Sequence, residues 1–298
     1  LSSAVGAGLD PCGAMGTMVE LAPGAQSEIV ILLGDADGPE QAAALIARYR
    51  NADLDKVLAE VREQWEELLG TVQVKTPDRS MDLMLNGWLL YQTIACRLWA
   101  RSGFYQASGA YGFRDQLQDG MALAAIRPSL TREHLVRAAG RQFAEGDVQH
   151  WWLPHSGQGV RTRISDDKAW LAYAVAQYIE VSGDAALLDE LVPFLAGPNL
   201  AADEHDSFFS PAISLQTASL YEHCALALDA SLAVGSHGIP LMGGGDWNDG
   251  MNRVGEGGQG ESVWLAWLLH TTLTAFAGVA DTRHDPVRAE AWRAHASA

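Results

Sequence analysis

From residue 79 onward the chain is dominated by segments with helical spacing that are apolar over much of their circumference. These are Met81, Leu85, Trp88, Leu89 and Trp99, then residues 168–181 and 262–277. A helix lying on a surface needs only one apolar stripe, so helices apolar nearly all round have to be enclosed on more than one side. Between them run polar stretches rich in Gly, Trp, Asp, Arg and His, at 108–111, 146–165, 200–214 and 235–260. No repeat of solenoid length accompanies this alternation, which predicts a toroid of helical hairpins whose loops gather at one end into a single pocket.

The earlier part of the chain has a different texture. Runs of β-branched and apolar residues from Met15 to Leu21 and from Glu28 to Leu33 flank Ala22-Pro23-Gly24-Ala25, the pattern of two antiparallel strands joined by a turn. Two strands alone are marginal, so they read as the tail of a β-sheet domain. Beyond Gly38 and Pro39, residues 40–50 and 54–69 show helical spacing, with Asn51-Ala52-Asp53 offering a cap between them. Three regions follow: the end of a β-sheet domain at 1–36, a helical linker at 37–78 and a mainly α domain at 79–298.

Charge narrows the choice of ligand. A formal net charge of -17 over 298 residues opposes nucleic acid and anionic membrane surfaces, whose affinity comes from phosphate neutralisation by Lys and Arg. A neutral ligand fits better, and the ten Trp supply faces that stack on sugar rings when they are not filling core. Cys12, Cys96 and Cys224 are far apart and lack CxxC spacing, so neither a disulfide framework nor a zinc site is expected, and a reducing, cytoplasmic location follows. No run is read as reaching the roughly 20 apolar residues that cross a bilayer. The first residue is Leu, consistent with a segment of a longer protein.

Three motifs carry candidate chemistry. In residues 243–252, glycines allow tight turns while Asp246 and Asp249 flank Trp247 and Asn248. A carboxyl set against an aromatic wall loses solvation and can stay protonated as a general acid; the competing reading is an Asx-turn loop with capping carboxylates. In the second motif, Arg114, Asp115 and Asp119 open a helix with the two acids four apart. They form either a fork for sugar hydroxyls or a structural ion-pair network. In the third, Arg161, Arg163, Ser165, Asp166 and Asp167 precede an apolar helix, with Ser165 as the expected N-cap, one acid stabilising the helix and the other facing a ligand. The GxGxxG match at 255–260 has no preceding strand and is set aside, as are His150 and His155, which lack zinc spacing, and the isolated His223 and His270.

These motifs have a family likeness. YGFRDQLQD at 111–119, GDVQHWW at 146–152, GVRTRISDD at 159–167 and GDWNDGMNRVGEGGQGESVW at 245–264 resemble the inverting β-glucan phosphorylases, the cellobiose and chitobiose phosphorylase-like glycoside hydrolases. The detail is nearest to the C-terminal phosphorylase-like domain of cyclic β-1,2-glucan synthases. Gly8 to Cys12 and Leu32-Leu33-Gly34 also resemble the end of that family's β-sandwich domain.

The resemblance implies a mainly α fold: the N-terminal part of an (α/α)6 barrel at 79–298, preceded by the last strands of a β-sandwich and the helical linker. It implies inverting phosphorolysis of a β-1,2-glucan, with inorganic phosphate as co-substrate, no further cofactor or metal, and release of glucose 1-phosphate. On the family pattern Asp249 is the general acid and Trp247 lines the sugar site. Arg114 and Asp119 hold the non-reducing glucose, and Arg163, Asp166 and Asp167 form a neighbouring polar wall. The family's barrel runs further than residue 298 and takes its phosphate ligands from that later part, so an incomplete, inactive pocket is one expectation for this chain. Two other readings stand beside it: an inverting hydrolase using Asp249 with Asp119 as base, and a silent carbohydrate-binding fragment. A synthase parent would place the domain on the cytosolic face of a membrane.

Overall fold

The computed structural model describes residues 6–8, 13–99 and 109–298. Residues Leu9 to Cys12 of the opening motif and Ser108 of the first polar stretch lie outside them. The chain divides into two compact units, Leu1–Gln64 and Trp65–Ala298.

In the first unit Ala22-Pro23-Gly24-Ala25 forms the expected turn, closed by the Ala25 N–H donating to Ala22 O at 2.9 Å, with Gly24 at φ 81°. Proline at the second position and a glycine with positive φ at the third are the requirements of a type II turn. The strands expected on either side do not form: no ladder is present among described residues 13–37, and Met18 and Leu33 are almost wholly exposed. Strand pairing gains little without an apolar face to bury, and nothing among these residues supplies one. Helix α1 (Pro39–Arg50) starts on a proline whose missing N–H costs nothing there, and ends on Arg48 and Arg50, which suit its negative pole. Helix α2 (Leu54–Leu69) is capped by Asp53, whose Oδ1 accepts from the Lys56 N–H at 3.1 Å.

The second unit is mainly helical. A helical run begins with α3 (Arg79–Leu83), kinks at Gly87, and continues through α4 (Leu89–Gln92) and a π-type turn, Thr93–Leu98. After the short β1 (Tyr111–Gly112) come α5 (Phe113–Met121) and α6 (Pro128–Ala139). The centre is α7 (Asp167–Ser182), which packs against α5, α6, α8 (Leu220–Asp229) and α10 (Val263–Thr282). Its Ala169, Ala172 and Ala174 are fully buried with Leu171 and Val175, and alanines on several faces let neighbouring helices approach from several directions. Gly183, in the left-handed conformation, stops it. The one-turn α9 (Asn252–Gly255) precedes α10, and helix α11 (Pro286–Ser297) packs along α10, with Trp292 buried against Phe276.

Two small sheets break the helix-and-loop alternation. Strands β1, β2 (Gln149–Trp152), β3 (Gly159–Thr162) and β5 (Asp206–Phe209) make an antiparallel sheet in that order, with Tyr111 opposite Trp152, Gln149 opposite Arg161, and Arg161 opposite Ser207. Strand β4 (Leu191–Ala196) pairs with β6 (Ala212–Ser219). The stretches 146–165 and 200–214, read as loops, therefore contain strands, too short and too rich in Gly, Arg and Trp to show a two-residue period. One further expectation changes. Helix α10 is long and apolar enough to cross a bilayer by length and composition, and its Leu265, Leu269, Leu273 and Phe276 lie in the core formed with α7 and α11.

Candidate functional site

The first turn of α5 carries Arg114 into the interior, where its guanidinium gathers groups from two other parts of the chain. Nη1 donates to Asp166 Oδ1 and to Asp246 O, each at 2.9 Å, and Nη2 donates to Asp249 Oδ1. Asp167 Oδ1 lies 4.0 Å from Nη1. Asp166 and Asp167 stand at the start of α7, which α5 packs against, so a helix–helix contact is what brings residues 52 positions apart together.

The Asp246 to Asp249 run is held by its backbone. Gly244 N–H donates to Arg163 O at 2.8 Å, and Ser165 donates to Gly245 O through both N–H (2.9 Å) and Oγ (3.0 Å). Gly243 has φ 62°, and a Cβ there would sit 2.2 Å from Arg163 O, so only glycine fits this crossing. A Cβ on Gly255 would likewise fall 1.8 Å from Gly243 O, which gives the GEGGQG stretch a packing role.

Two carboxylates alike in sequence therefore do different work. Asp246 is buried: Oδ1 accepts from the Asn248 N–H at 2.8 Å and Oδ2 from Ser262 Oγ at 2.6 Å, while Ser262 also caps α10 by accepting from the Leu265 N–H. Asp249 opens a 3-10 turn, Asp249–Met251, with its side chain 58% exposed. The aromatic wall expected around Asp249 is not what holds it: its partner is Arg114. Trp247 is half exposed, 6.5 Å between ring centroids from Trp264, which lies 6.3 Å from Trp170. Three indoles thus adjoin the polar cluster; Trp170 is buried, and the exposed rings of Trp247 and Trp264 beside charged hydrogen-bonding groups suit a sugar.

The start of α7 also departs from expectation. Ser165 does not cap the helix, its hydroxyl being committed to Gly245 O, and Asp166 at the N-cap position makes no capping bond. Instead Asp166 Oδ2 accepts from Trp170 Nε1 at 2.9 Å. Burial, and next the neighbouring Asp167 carboxylate, raise the Asp166 pKa against the opposing pull of Arg114. Asp167 Oδ2 is bonded by His150 Nδ1 at 2.8 Å. Burial lowers the His150 pKa, but the Asp167 carboxylate outweighs it and the net shift is upward.

Two candidates sit apart from this cluster. Asp119 pairs with Arg97 Nε at 2.6 Å, and Arg163 donates to the carbonyls of Ala201 and Glu204 at 2.6 and 2.8 Å, holding the 200–204 segment. Arg163 also lines a cleft of about 680 Å³ together with Asp167, Lys168, Gly243 and Gly244, a cleft that Arg114, Trp247 and Asp249 do not line. His150, Trp170, Trp264 and Ser262 are site neighbours not anticipated from sequence. Trp170 follows Asp166 by one helical turn, a usable signal; the other three arrive through tertiary packing.

The catalytic-domain signature of the glycosyl hydrolase 94 superfamily matches residues 64–298. The chain belongs to this superfamily. The supersandwich domain of glycosyl hydrolase 94 matches residues 1–52, so the N-terminal region has the family identity its sequence resembles although no ladder is present among its described residues. Among curated relatives of this glycosyl hydrolase 94 chain, the cyclic beta-(1,2)-glucan synthase NdvB of Rhizobium meliloti is 49% identical over 97% of the chain and 10% of the synthase. The solabiose phosphorylase of Paenibacillus borealis is 32% identical over 94% of the chain and 33% of the enzyme. The N,N'-diacetylchitobiose phosphorylase of Vibrio furnissii is 27% identical over 96% of the chain and 36% of the enzyme. The chain thus spans a tenth of the synthase and about a third of the phosphorylases. Of these three relatives, two are named as phosphorylases and one as a glucan synthase.

Proposed function

We propose that this chain carries the acid-bearing part of an inverting phosphorylase acting on β-1,2-linked glucan, built as part of an (α/α)6 barrel. The observation that carries the reading is the Arg114 cluster, which aims one half-exposed carboxylate, Asp249, toward solvent beside the exposed face of Trp247. Asp249 protonates the glycosidic oxygen as the bond to the anomeric carbon breaks, and phosphate attacks that carbon from the opposite face, giving α-glucose 1-phosphate. A bound sugar on Trp247 would cover Asp249 and exclude the water that now reaches it. Arg114 orients the acid, and Asp166 and Asp167 form the polar wall behind it. Phosphate is the co-substrate and no other cofactor takes part.

The β-1,2 linkage rests on the likeness to NdvB. By the same likeness the domain works at the cytosolic face of the membrane, controlling glucan length within a larger synthase. The hydrolase reading needs a free base, and its candidate Asp119 is bonded to Arg97.

The test is incubation with short β-1,2-gluco-oligosaccharides with and without phosphate, assaying glucose 1-phosphate and free glucose separately. Phosphate-dependent glucose 1-phosphate is expected from a protein in which this chain is joined to a complete phosphate site, and Asp249→Asn in that protein should lower its rate by about 10²–10⁴-fold while sparing sugar affinity. Free glucose independent of phosphate would replace this reading with the hydrolase. Sugar binding without either product would leave a binding module or an incomplete pocket, which the same assay on a longer protein separates.

A further inference from the structure

Three carboxylates face one guanidinium in the site. Asp166 and Asp249 accept hydrogen bonds from Arg114, but Asp167 does not. The Asp167 side chain is 3% exposed, and its Oδ1, 4.0 Å from Arg114 Nη1, has no hydrogen-bond partner. Its other oxygen is bonded by His150, on β2. A buried carboxylate short of partners is drawn to the nearest cation, because leaving it unpaired forfeits solvation with nothing in return.

We infer that His150 is a positioning residue for the Arg114–Asp249 pair: by engaging Asp167 through Oδ2 it keeps that carboxylate from pulling the guanidinium away from Asp249. The functional weight of this device rests on the proposed role of Asp249 as the acid. Of the two bonded partners, Asp249 is the one most readily lost, since it is solvent-accessible and water can replace Arg114, whereas Asp166 is fully buried. The charged groups facing His150 are Asp167 on α7, Asp249 on its 3-10 turn and Arg114 on α5. Two acids against one cation favour the imidazolium, so the device is strongest below neutral pH and weakens as the ring loses its proton.

The test follows the Arg114 guanidinium by ¹⁵N NMR, with the signals assigned using Arg114→Lys, in the wild-type chain and its variants. Asp249→Asn defines the signature of an Arg114 freed from that carboxylate. His150→Ala should shift the Arg114 signals toward that signature, and His150→Ala combined with Asp167→Asn should bring them back, because the carboxylate that competes is gone. Should His150→Ala fail to fold, His150→Gln, which keeps an N–H donor without the charge, should give a smaller displacement in the same direction. Unmoved Arg114 signals in the single variant, or signals equally displaced in the double variant, would overturn the inference. In the phosphorolysis assay His150→Ala should lower kcat about tenfold with KM within about twofold. Absence of glucose 1-phosphate from a wild-type protein with a complete phosphate site would sink the phosphorylase reading while the NMR result still decides the positioning role.

Discussion

Arg114 serves both the site and the fold, because its guanidinium, 6% exposed, neutralises the fully buried Asp166 and fixes the Asp246 backbone as well as Asp249. Replacing it with Met leaves buried Asp166 without its cation, so that the carboxyl has to take up a proton, and breaking such a buried pair typically costs about 3–5 kcal/mol. Arg114→Met should therefore unfold at markedly lower denaturant than Asp249→Asn, which gives up only a solvent-accessible partner; equal midpoints would contradict this division. His150 gives a pH signature of defined sign. Its pKa is raised in the folded chain, so its contribution is fully present below about pH 6.5, the unfolded value, and is lost as pH rises through the folded one. Buried His134, lowered to about 3, and His223, also lowered, act in the opposite sense. The quantity to measure is thus the difference in Tm between wild type and His150→Gln, expected to shrink from pH 6 to pH 8.5. A difference that grows with pH would reverse the assignment.

At the scale of elements, the crossing of the 243–245 backbone with residues 163–165 sets the position of Asp249. Gly243→Ala would force a side chain into positive φ and against Arg163 O, a strain of about 1–3 kcal/mol or more. It should lower Tm by roughly 2–4 °C per kcal/mol and reduce turnover with Asp249 still present. Retained turnover would show that the crossing does not position the acid. What the sequence revealed and what it concealed divide along the same line. Helices α7 and α10 were legible because apolar residues surround them, and Asp53 was legible as a cap because capping is local. Strands β2, β3 and β5 were not, since their four-residue lengths and mixed Gln, Arg, Trp and Asp content leave no period to read. Asp246 and Asp249 looked equivalent until Ser262, 16 residues from Asp246, claimed the first. His150 was set aside for want of zinc spacing, and its actual partner, 17 residues away, is brought to it by the fold.

At the scale of the whole molecule, burial is distributed unevenly. The contiguous core, including Trp152, Leu171, Phe276 and Trp292, belongs to the second unit, whereas described residues 13–35 are exposed at every position. Exposed apolar side chains such as Met18 and Leu33 gain nothing from folding by the burial they lack. This matters for interpreting any assay, because stability then reports on the catalytic unit alone. A chain beginning at Pro39 should keep the wild-type Tm within about 2 °C, a shift that corresponds to no more than about 1 kcal/mol in a unit of this size. Differential scanning calorimetry of the two proteins side by side gives the answer. A much larger fall would mean that residues before Pro39 bury apolar surface in solution, and the N-terminal region would then have to be counted as part of the folded unit whose stability the Arg114 and Gly243 variants are meant to probe.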